Sequence, residues 1–292
     1  MTLGVSCLAS SQAPPSPNGT PRVVRLTETL VVNSGDVIRD THFIWAGPAT
    51  SPMLRLAGAQ FATLDHLVFE VPDGQHATAA VQLANTPAGG PLASQLSNLK
   101  IGKFGVPGNF DYGLLWTDSL NGDSNTITNV AIFGAARAGI SLANPQATAN
   151  TFRGVYVFRA PIGLHSAAGG TIECENCGFI GSTDVDVELT NGAGLILTGM
   201  YSEQSRSFAR VTAGPGGGGL SVLGGYWQWS QAAEGFTITG QNTCCFRSWL
   251  RLTDFMVTPL DGQAHGTING FDPSIRFFSN AAGLQETAQG PG

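Results

Sequence analysis

The chain has 292 residues, of which 42% are hydrophobic and 12% charged, with 39 glycines and a formal net charge of −6. The charged share is about half the usual value, which excludes an architecture of long solvent-exposed helices, because these need Lys, Arg and Glu on their outer faces. The acidic balance, without any basic cluster, argues against nucleic-acid binding, and no apolar run reaches the roughly 18 residues of a membrane span.

The two ends of the chain differ in composition from its middle. Residues 1–21 are rich in Ser, Pro and Asn and lack the basic start of a signal peptide, so we interpret them as a flexible leader or an N-terminal cap. Residues 22–270 contain short β-prone segments throughout, and residues 271–292 are assigned to a C-terminal tail or cap. Caps are expected if the middle is a repeat fold, since its end coils would otherwise expose unpaired strand edges.

A short β-prone pattern recurs along the middle of the chain. Its two clearest copies, NTITNVAIFG and NTFRGVYVFR, begin at Asn125 and Asn150, and each has an apolar anchor two residues later. The anchors of successive copies are assigned to Leu67, Leu99, Ile127, Phe152, Ile172, Leu195, Leu220 and Leu250. Their spacing of 20 to 32 residues lies in the range of solenoid repeats.

A second alternating strand follows the anchor in most copies. These second strands occupy residues 138–144, 161–167, 184–191, 207–213 and 235–241. Two short strands per copy, joined by corners rich in Gly and Asn, predict an all-β fold, a single right-handed parallel β-helix of about eight or more coils. An immunoglobulin-like sandwich is the alternative, but it does not predict a period that stacks like residues on one another.

The stacking of coils predicts which side chains share an outer face. One outward column consists of Ala131, Tyr156, Gly178, Tyr201 and Tyr226, and Phe158, Glu203 and Gln228 lie two residues further along their strands. Aromatic rings stack on the C–H faces of sugars while carboxylates and carboxamides bond hydroxyl groups, so the pattern predicts a glycan-binding groove. Its candidate residues are Tyr156, Tyr201, Tyr226, Trp227, Gln228 and Trp229. The alternative is that these rings pack on one another or fill the interior.

The densest acidic stretch is STDVDVEL, in which Asp184, Asp186 and Glu188 alternate with valines. Alternation predicts that all three point outward, and Glu188 aligns with Arg210 of the next coil. Carboxyl groups on alternate residues lie about 6.6–7 Å apart, which suits the acid and base of an inverting glycosidase. The same carboxylates could hold a Ca²⁺ ion, and no other metal or cofactor is predicted. The alternative is a solvated outer face that discourages aggregation.

Two further features follow from the same alignment. Arg153 lies over Glu173, which predicts a lateral ion pair. The cysteine pairs 174/177 and 244/245 are separated by about three coils, or roughly 14 Å, too far for one zinc ion. We therefore predict core cysteines that behave as small hydrophobic side chains.

Four segments carry a resemblance to a known family: NTITNVAIFGAARAGISL, NTFRGVYVF, CENCGFIGS and GMYSEQSRSFARV. They resemble the pectate-lyase-like superfamily of right-handed parallel β-helices, and within it the glycosyl-hydrolase-28-related and phage-tailspike-like branch. The resemblance covers about residues 60–260, with Gln204 where the family usually has Gly. The chain departs from the family's catalytic patterns, with Asp184-Val-Asp186 in place of Asp-Asp and His165 in GLHS in place of Gly-His-Gly.

The resemblance does not settle the activity, because the superfamily hosts lyases, hydrolases, tailspikes and fibres. The first hypothesis is a surface-exposed β-helical fibre or attachment protein that recognises a polysaccharide or cell-surface glycan, at a virion surface or outside a bacterial cell. The resemblance to tailspikes implies a homotrimer. The second is a polysaccharide lyase or glycoside hydrolase acting on an acidic polysaccharide. Its candidate catalytic residues are His165, Asp184, Asp186, Glu188, Glu203, Arg206 and Arg210. The third is a purely structural virion or adhesion module.

Overall fold

The computed structural model describes residues 21–87, 89–106, 108–117, 121–213, 218–229, 236–240, 248–259 and 276–279. The strands are β1 (Arg22–Leu26), β2 (Leu30–Val32), β3 (Val37–Trp45), β4 (Leu54–Ala57), β5 (Thr63–Glu70), β6 (Ala77–Ala84), β7 (Gln95–Ile101), β8 (Phe110–Trp116), β9 (Thr126–Phe133), β10 (Ala138–Leu142), β11 (Thr151–Phe158), β12 (Ile162–Ser166), β13 (Thr171–Glu175), β14 (Gly178–Ile180), β15 (Val185–Leu189), β16 (Gly194–Ser205), β17 (Ala209–Ala213), β18 (Gly218–Trp229), β19 (Phe236–Gly240), β20 (Ser248–Pro259) and β21 (Arg276–Ser279). These ranges contain no helix that could cross a membrane.

The strands form two sheets, one on each side of a single interior. The large sheet has 12 strands and runs from β1 to β21, while the small sheet has nine and runs from β2 to β19. Each strand pairs in parallel with its counterpart on the coils before and after it. This confirms the parallel β-helix. The sandwich alternative is wrong, because it requires antiparallel neighbours.

The apolar core lies between the two sheets. In β5, Leu64, Leu67 and Phe69 are fully buried while the residues between them are more exposed. Leu67 and Phe69 follow the alternation of a strand with one buried face, and left-handed His66 lies in the three-residue step from Leu64 to Leu67. Each such side chain contributes about 1.5–3 kcal/mol by leaving water. The interior column that begins at Leu64 continues through Leu96, Ile127, Phe152, Cys174, Leu197 and Val222.

A column of left-handed residues bends the large sheet near the middle of its strands from β3 to β18. Its members are Asp40, His66, Asn98, Asn129, Gly154, Asn176, Gly199 and Gly224, with φ between 48° and 68°. Gly, Asn and Asp adopt this conformation most readily, which explains why they recur in the repeat. Side chains reinforce the bend, since Asn129 Nδ2 donates to Asn98 Oδ1 at 2.7 Å. The strand therefore presents two outer faces, one on each side of this bend.

The Asn of the repeated Asn-Thr motif forms a buried ladder at the corner that precedes the large sheet. Asn125 Nδ2 and the Asn125 backbone N–H both donate to Asn150 Oδ1 at 3.0 Å. The Ser94 N–H donates to Asn125 Oδ1 at 3.0 Å. Because these groups are buried, each would be costly to leave unpaired. The motif that makes the repeat visible in the sequence is therefore a structural one.

The predicted register is correct in some coils and wrong in others. Ile127 pairs with Phe152 as predicted, but Leu99 pairs with Val130 and Phe152 pairs with Cys174. Each strand has several inward apolar positions around the bend. The alternation of apolar and polar residues is therefore compatible with more than one register between neighbouring strands.

The shifted register changes one predicted ion pair. Arg153 Nε lies 2.9 Å from Glu175 Oε2, and the predicted partner Glu173 pairs instead with Thr151. The side chains of Arg153 and Glu175 are 62% and 49% exposed. The ion pair between them therefore contributes about 0–1 kcal/mol.

The predicted core cysteines are buried, but Cys174 and Cys177 are joined by a disulfide bond. Reading them as separate apolar side chains is therefore wrong. They occupy the two inward positions on either side of left-handed Asn176, where neighbouring coils carry apolar pairs such as Phe152 and Val155. The bond closes the inside of the bend. Cysteines 244 and 245 lie outside the described residues.

Candidate functional site

A column of tyrosines lies on the outer face of the large sheet, after the bend. The register places Tyr156, Gly178, Tyr201 and Tyr226 on successive coils, about 4.8 Å apart. We call these four residues the tyrosine column. The predicted column is therefore present, because its positions fall within one uninterrupted half-strand where alternation holds.

The rings of the tyrosine column are held in defined positions. Tyr201 and Tyr226 stack with centroids 5.9 Å apart and an interplanar angle of 24°. Tyr156 leans over Gly178, and a Cβ added at that glycine would collide with its ring. Tyr156 and Tyr201 remain 38% and 36% exposed. The sequence left two alternatives for these rings, packing on one another or forming an accessible aromatic surface. The tyrosine column combines the two.

A second outward column supplies polar groups beside the tyrosines. Glu203 pairs with Gln228 on the next coil, and both lie two residues beyond a tyrosine, as predicted. The Tyr201 hydroxyl donates to Glu203 Oε2 at 2.6 Å. This hydrogen bond, with smaller effects of burial and charge, raises the pKa of Tyr201 to about 12. Glu203 therefore holds the phenol in place and keeps it neutral.

Trp227 does not join this surface. Trp227 is fully buried and packs on Phe208 with ring centroids 5.6 Å apart, so it is a core residue and not a glycan contact. It lies between Tyr226 and Gln228, and the alternation that turns those two outward turns its ring inward. The side chain of Trp229 lies outside the described residues.

The predicted acidic strand β15 forms an ion cluster on the small sheet. Arg210 donates to Asp184 at 2.7 and 3.1 Å and to Glu188 at 2.9 Å. The alignment of Glu188 with Arg210 is confirmed. The two carboxylates raise the pKa of the Arg210 guanidinium further above its ordinary value, chiefly through the hydrogen bonds to Asp184. Asp184 and Glu188 are thus each bound to a permanent cation.

Asp186 contradicts the prediction that it points outward. It is fully buried between the sheets, where the Ser202 hydroxyl donates to its Oδ2 while Oδ1 has no partner. The preceding coil has Gly163 at this position, and a Cβ there would collide with the Phe179 ring, which confirms that the position faces the interior. Burial raises the pKa of Asp186 to about 7, against the opposing effect of hydroxyls that include Ser182.

His165 lies on the small sheet, one coil before Glu188. Its Nδ1 lies 3.1 Å from Ser141 Oγ and its Nε2 lies 3.4 Å from Thr190 Oγ1. Burial lowers its pKa, partly offset by the charge of Glu188. Ser141 is itself buried, so the Ser-His pair does not present a hydroxyl to a substrate.

The seven catalytic candidates therefore do not form one constellation. His165, Asp184, Glu188 and Arg210 lie on the small sheet, Asp186 lies in the interior and Glu203 lies on the large sheet. Arg206 lies exposed in the turn after β16, where its backbone N–H donates to Ser182 O at 2.9 Å. The described part of the chain also has no cluster of three or more His, Cys, Asp or Glu side chains placed to hold a metal ion.

An aromatic cluster lies beside the tyrosine column, and of its three rings only Phe158 was among the outward residues predicted from the sequence. Phe133 and Phe158 stack with centroids 4.8 Å apart, and Phe104 meets both rings edge-on. The stack could have been inferred, because Phe133 and Phe158 occupy the same place in the two clearest repeats. Phe104 lies in the turn after β7, outside the alternating pattern, and carries no such signal.

The chain matches no protein-family model and no curated protein. Among solved structures it is similar to the Streptococcus pneumoniae surface protein and adhesin PfbA, with a TM-score of 0.47 and 11% sequence identity over 83% of this chain and 68% of that chain. A likeness of this size does not identify a ligand or an activity.

Proposed function

We propose that this β-helix is a surface-exposed attachment module that binds a glycan along the tyrosine column. The observation that carries the proposal is the column itself, in which exposed Tyr156 and Tyr201 rings stand at fixed spacing on a rigid sheet. Rings held in place before binding lose little entropy when a ligand arrives. They offer the apolar surface that a sugar's C–H face requires.

The polar groups beside the column support the same proposal. Glu203 and Gln228 lie at the level of Tyr201 and Tyr226, two residues further along each strand. A carboxylate accepts hydrogen bonds from hydroxyl groups, while a carboxamide both donates and accepts. Glu203 uses one oxygen to hold the Tyr201 hydroxyl and has further lone pairs for a ligand. The arrangement suits a polyhydroxylated chain that runs along the β-helix axis.

The burial of Asp186 and the pairing of Asp184 and Glu188 with Arg210 favour binding over hydrolysis or elimination as the main role. An acid and a base must flank the same bond, whereas Asp186 is enclosed and Asp184 and Glu188 are paired to Arg210. Membership of the pectate-lyase-like superfamily, a location on a virion or a secreted surface, and a homotrimer are the finer parts of this proposal. They rest on the resemblance of the sequence segments.

Binding of the intact chain to a glycan array tests the proposal. We expect one class of glycan to bind, and Tyr201→Ala to weaken that binding at least about tenfold, as for a contact residue at the centre of an interface. Phe61→Ala is the matched control, because Phe61 is 67% exposed but lies before β5, at the opposite end of the strand from the column. Absence of binding across the array, or equal losses in both variants, would overturn the proposal and favour the structural module.

A further inference from the structure

Phe104 is an exposed aromatic side chain that is nevertheless held in a fixed position. It is 65% exposed, yet its ring meets Phe133 at 5.9 Å and Phe158 at 6.2 Å in edge-to-face geometry. The Arg159 guanidinium lies over the ring, 5.9 Å from its centroid. An exposed ring fixed on several sides resembles the preformed anchor of a protein interface.

Three exposed cations belong to the same part of the chain surface as this ring. Lys100 and Lys103, the only two lysines in the chain, precede Phe104 by four residues and by one, and Arg159 lies over its ring. All three are exposed and have no carboxylate partner within the part of the chain that the structure describes. Glu70, on the preceding coil, is bonded to His42 at 3.1 Å. The patch is therefore apolar at its centre and positive around it, although the whole chain has a net charge of −6.

The cations of this patch differ from four arginines elsewhere on the outer surface. Those arginines lie within 4.0 Å of a carboxylate on a neighbouring coil, in the pairs Arg39–Asp65, Arg137–Asp111, Arg153–Glu175 and Arg210–Asp184. Lateral pairing is thus one way in which this β-helix neutralises its outer charges. Charges left without such a partner are available to an external one.

The chemistry of the patch favours a protein ligand over a sugar. The faces of Phe133 and Phe158 are turned toward each other, and one face of Phe104 is covered by Arg159. A sugar needs both hydrogen-bond donors and acceptors beside an open ring face, as in the tyrosine column, whereas the groups beside the Phe104 ring are cations, which donate hydrogen bonds but do not accept them. Ring edges and apolar side chains pack closely in protein interfaces, where Phe and Arg are enriched.

We infer that the patch formed by Lys100, Lys103, Phe104, Phe133, Phe158 and Arg159 docks a protein segment that presents an apolar side chain flanked by carboxylates. The apolar side chain packs against the Phe104 edge, and the carboxylates pair with the lysines and Arg159. A second copy of this chain does not fit in a two-fold arrangement, because the same patch on both copies would place cations against cations. This surface adjoins the tyrosine column, since Phe158 stacks on Tyr156 with ring centroids 6.4 Å apart, and it adds a protein contact to the proposed glycan contact.

A random peptide library displayed on phage and panned on the immobilised chain tests the inference. We expect selected peptides to carry an aromatic or aliphatic residue next to Asp or Glu. Phe104→Ala should weaken their binding at least about tenfold, as truncation of an anchor residue does. The Lys100→Gln, Lys103→Gln double variant should weaken binding and flatten its dependence on salt. Tyr201→Ala should leave peptide binding unchanged. All of these side chains are exposed, so the variants are expected to fold.

Other outcomes would overturn the inference. Peptides without acidic enrichment, or with the same affinity for the wild type and Phe104→Ala, would show that the patch is not a docking site for acidic segments. If the library selects nothing and heparin binds with the same dependence on Phe104 and the lysines, the ligand is an anionic polysaccharide and not a protein. Loss of peptide binding in Tyr201→Ala would assign the peptides to the tyrosine column instead.

Discussion

Replacing Asp186 with Asn removes a titrating group from the interior of the β-helix while keeping the shape of the side chain. The carboxyl group is fully buried and its Oδ1 has no partner. Its pKa in the folded chain is about 7, raised by burial from 3.8. Between about pH 4 and pH 7, the folded state therefore holds a proton that the unfolded state has already released.

The sign of the effect follows from this difference in proton binding. Because the folded chain binds more protons than the unfolded chain between pH 4 and pH 7, its free energy of unfolding falls as pH rises through this range and stays low above it. About three pH units at about 1.4 kcal/mol each correspond to roughly 4 kcal/mol. Of this, about 3 kcal/mol would be lost between pH 5 and pH 8.

Urea denaturation at several values from pH 5 to pH 8, followed by tryptophan fluorescence, measures this loss. We expect the wild type to lose stability as pH rises and Asp186→Asn to lose much less, so that the variant is the more stable protein at pH 8. Asp184→Asn is the control, because it breaks a partly exposed ion pair worth about 0–1 kcal/mol and leaves the buried carboxyl in place. The same pH dependence in the wild type and Asp186→Asn would refute the reasoning.

Three other changes test the remaining structure. Replacing both Cys174 and Cys177 with Val should lower the free energy of unfolding by roughly 2 kcal/mol, because the unfolded chain is no longer constrained by a very short disulfide-closed loop. Thermal melting with and without reductant checks this. Gly178→Ala should displace the Tyr156 ring, since its Cβ would collide with that ring, and should weaken glycan binding with little change in melting temperature. If the chain is a glycosidase or lyase that uses Glu203, Glu203→Gln should abolish product release from polysaccharides that the wild type degrades, whereas an attachment module releases none in either form.

The sequence could predict the tyrosine column because one physical rule applies along its whole length. Tyr156, Tyr201 and Tyr226 each lie in the half-strand after the bend, where side chains alternate strictly between interior and solvent. The same rule places Trp227 in the core, and applying it consistently would have removed that residue from the glycan candidates. The Phe104 patch was not predictable in this way, because a turn residue obeys no period.

Asp186 shows where the same rule fails. The stretch DVDVEL alternates as regularly as any in the chain, yet Asp186 lies inside while Asp184 and Glu188 lie outside. The reason lies on the neighbouring coil and the opposite sheet, where Gly163 and Ser202 leave room for a small polar side chain. No local pattern reports the size of residues that are distant in sequence.

The amino-acid sequence by itself determined that the chain coils, because a recurring pair of short alternating strands with Asn and Gly corners can bury its apolar face only against copies of itself. It did not determine which residue lies above which across corners of unequal length. Only the tertiary structure decided that Phe152 meets Cys174, that Arg153 pairs with Glu175 and that Cys174 bonds Cys177. Alternation specifies the face of each residue, whereas the register depends on the fit of left-handed bends and interior side chains between coils.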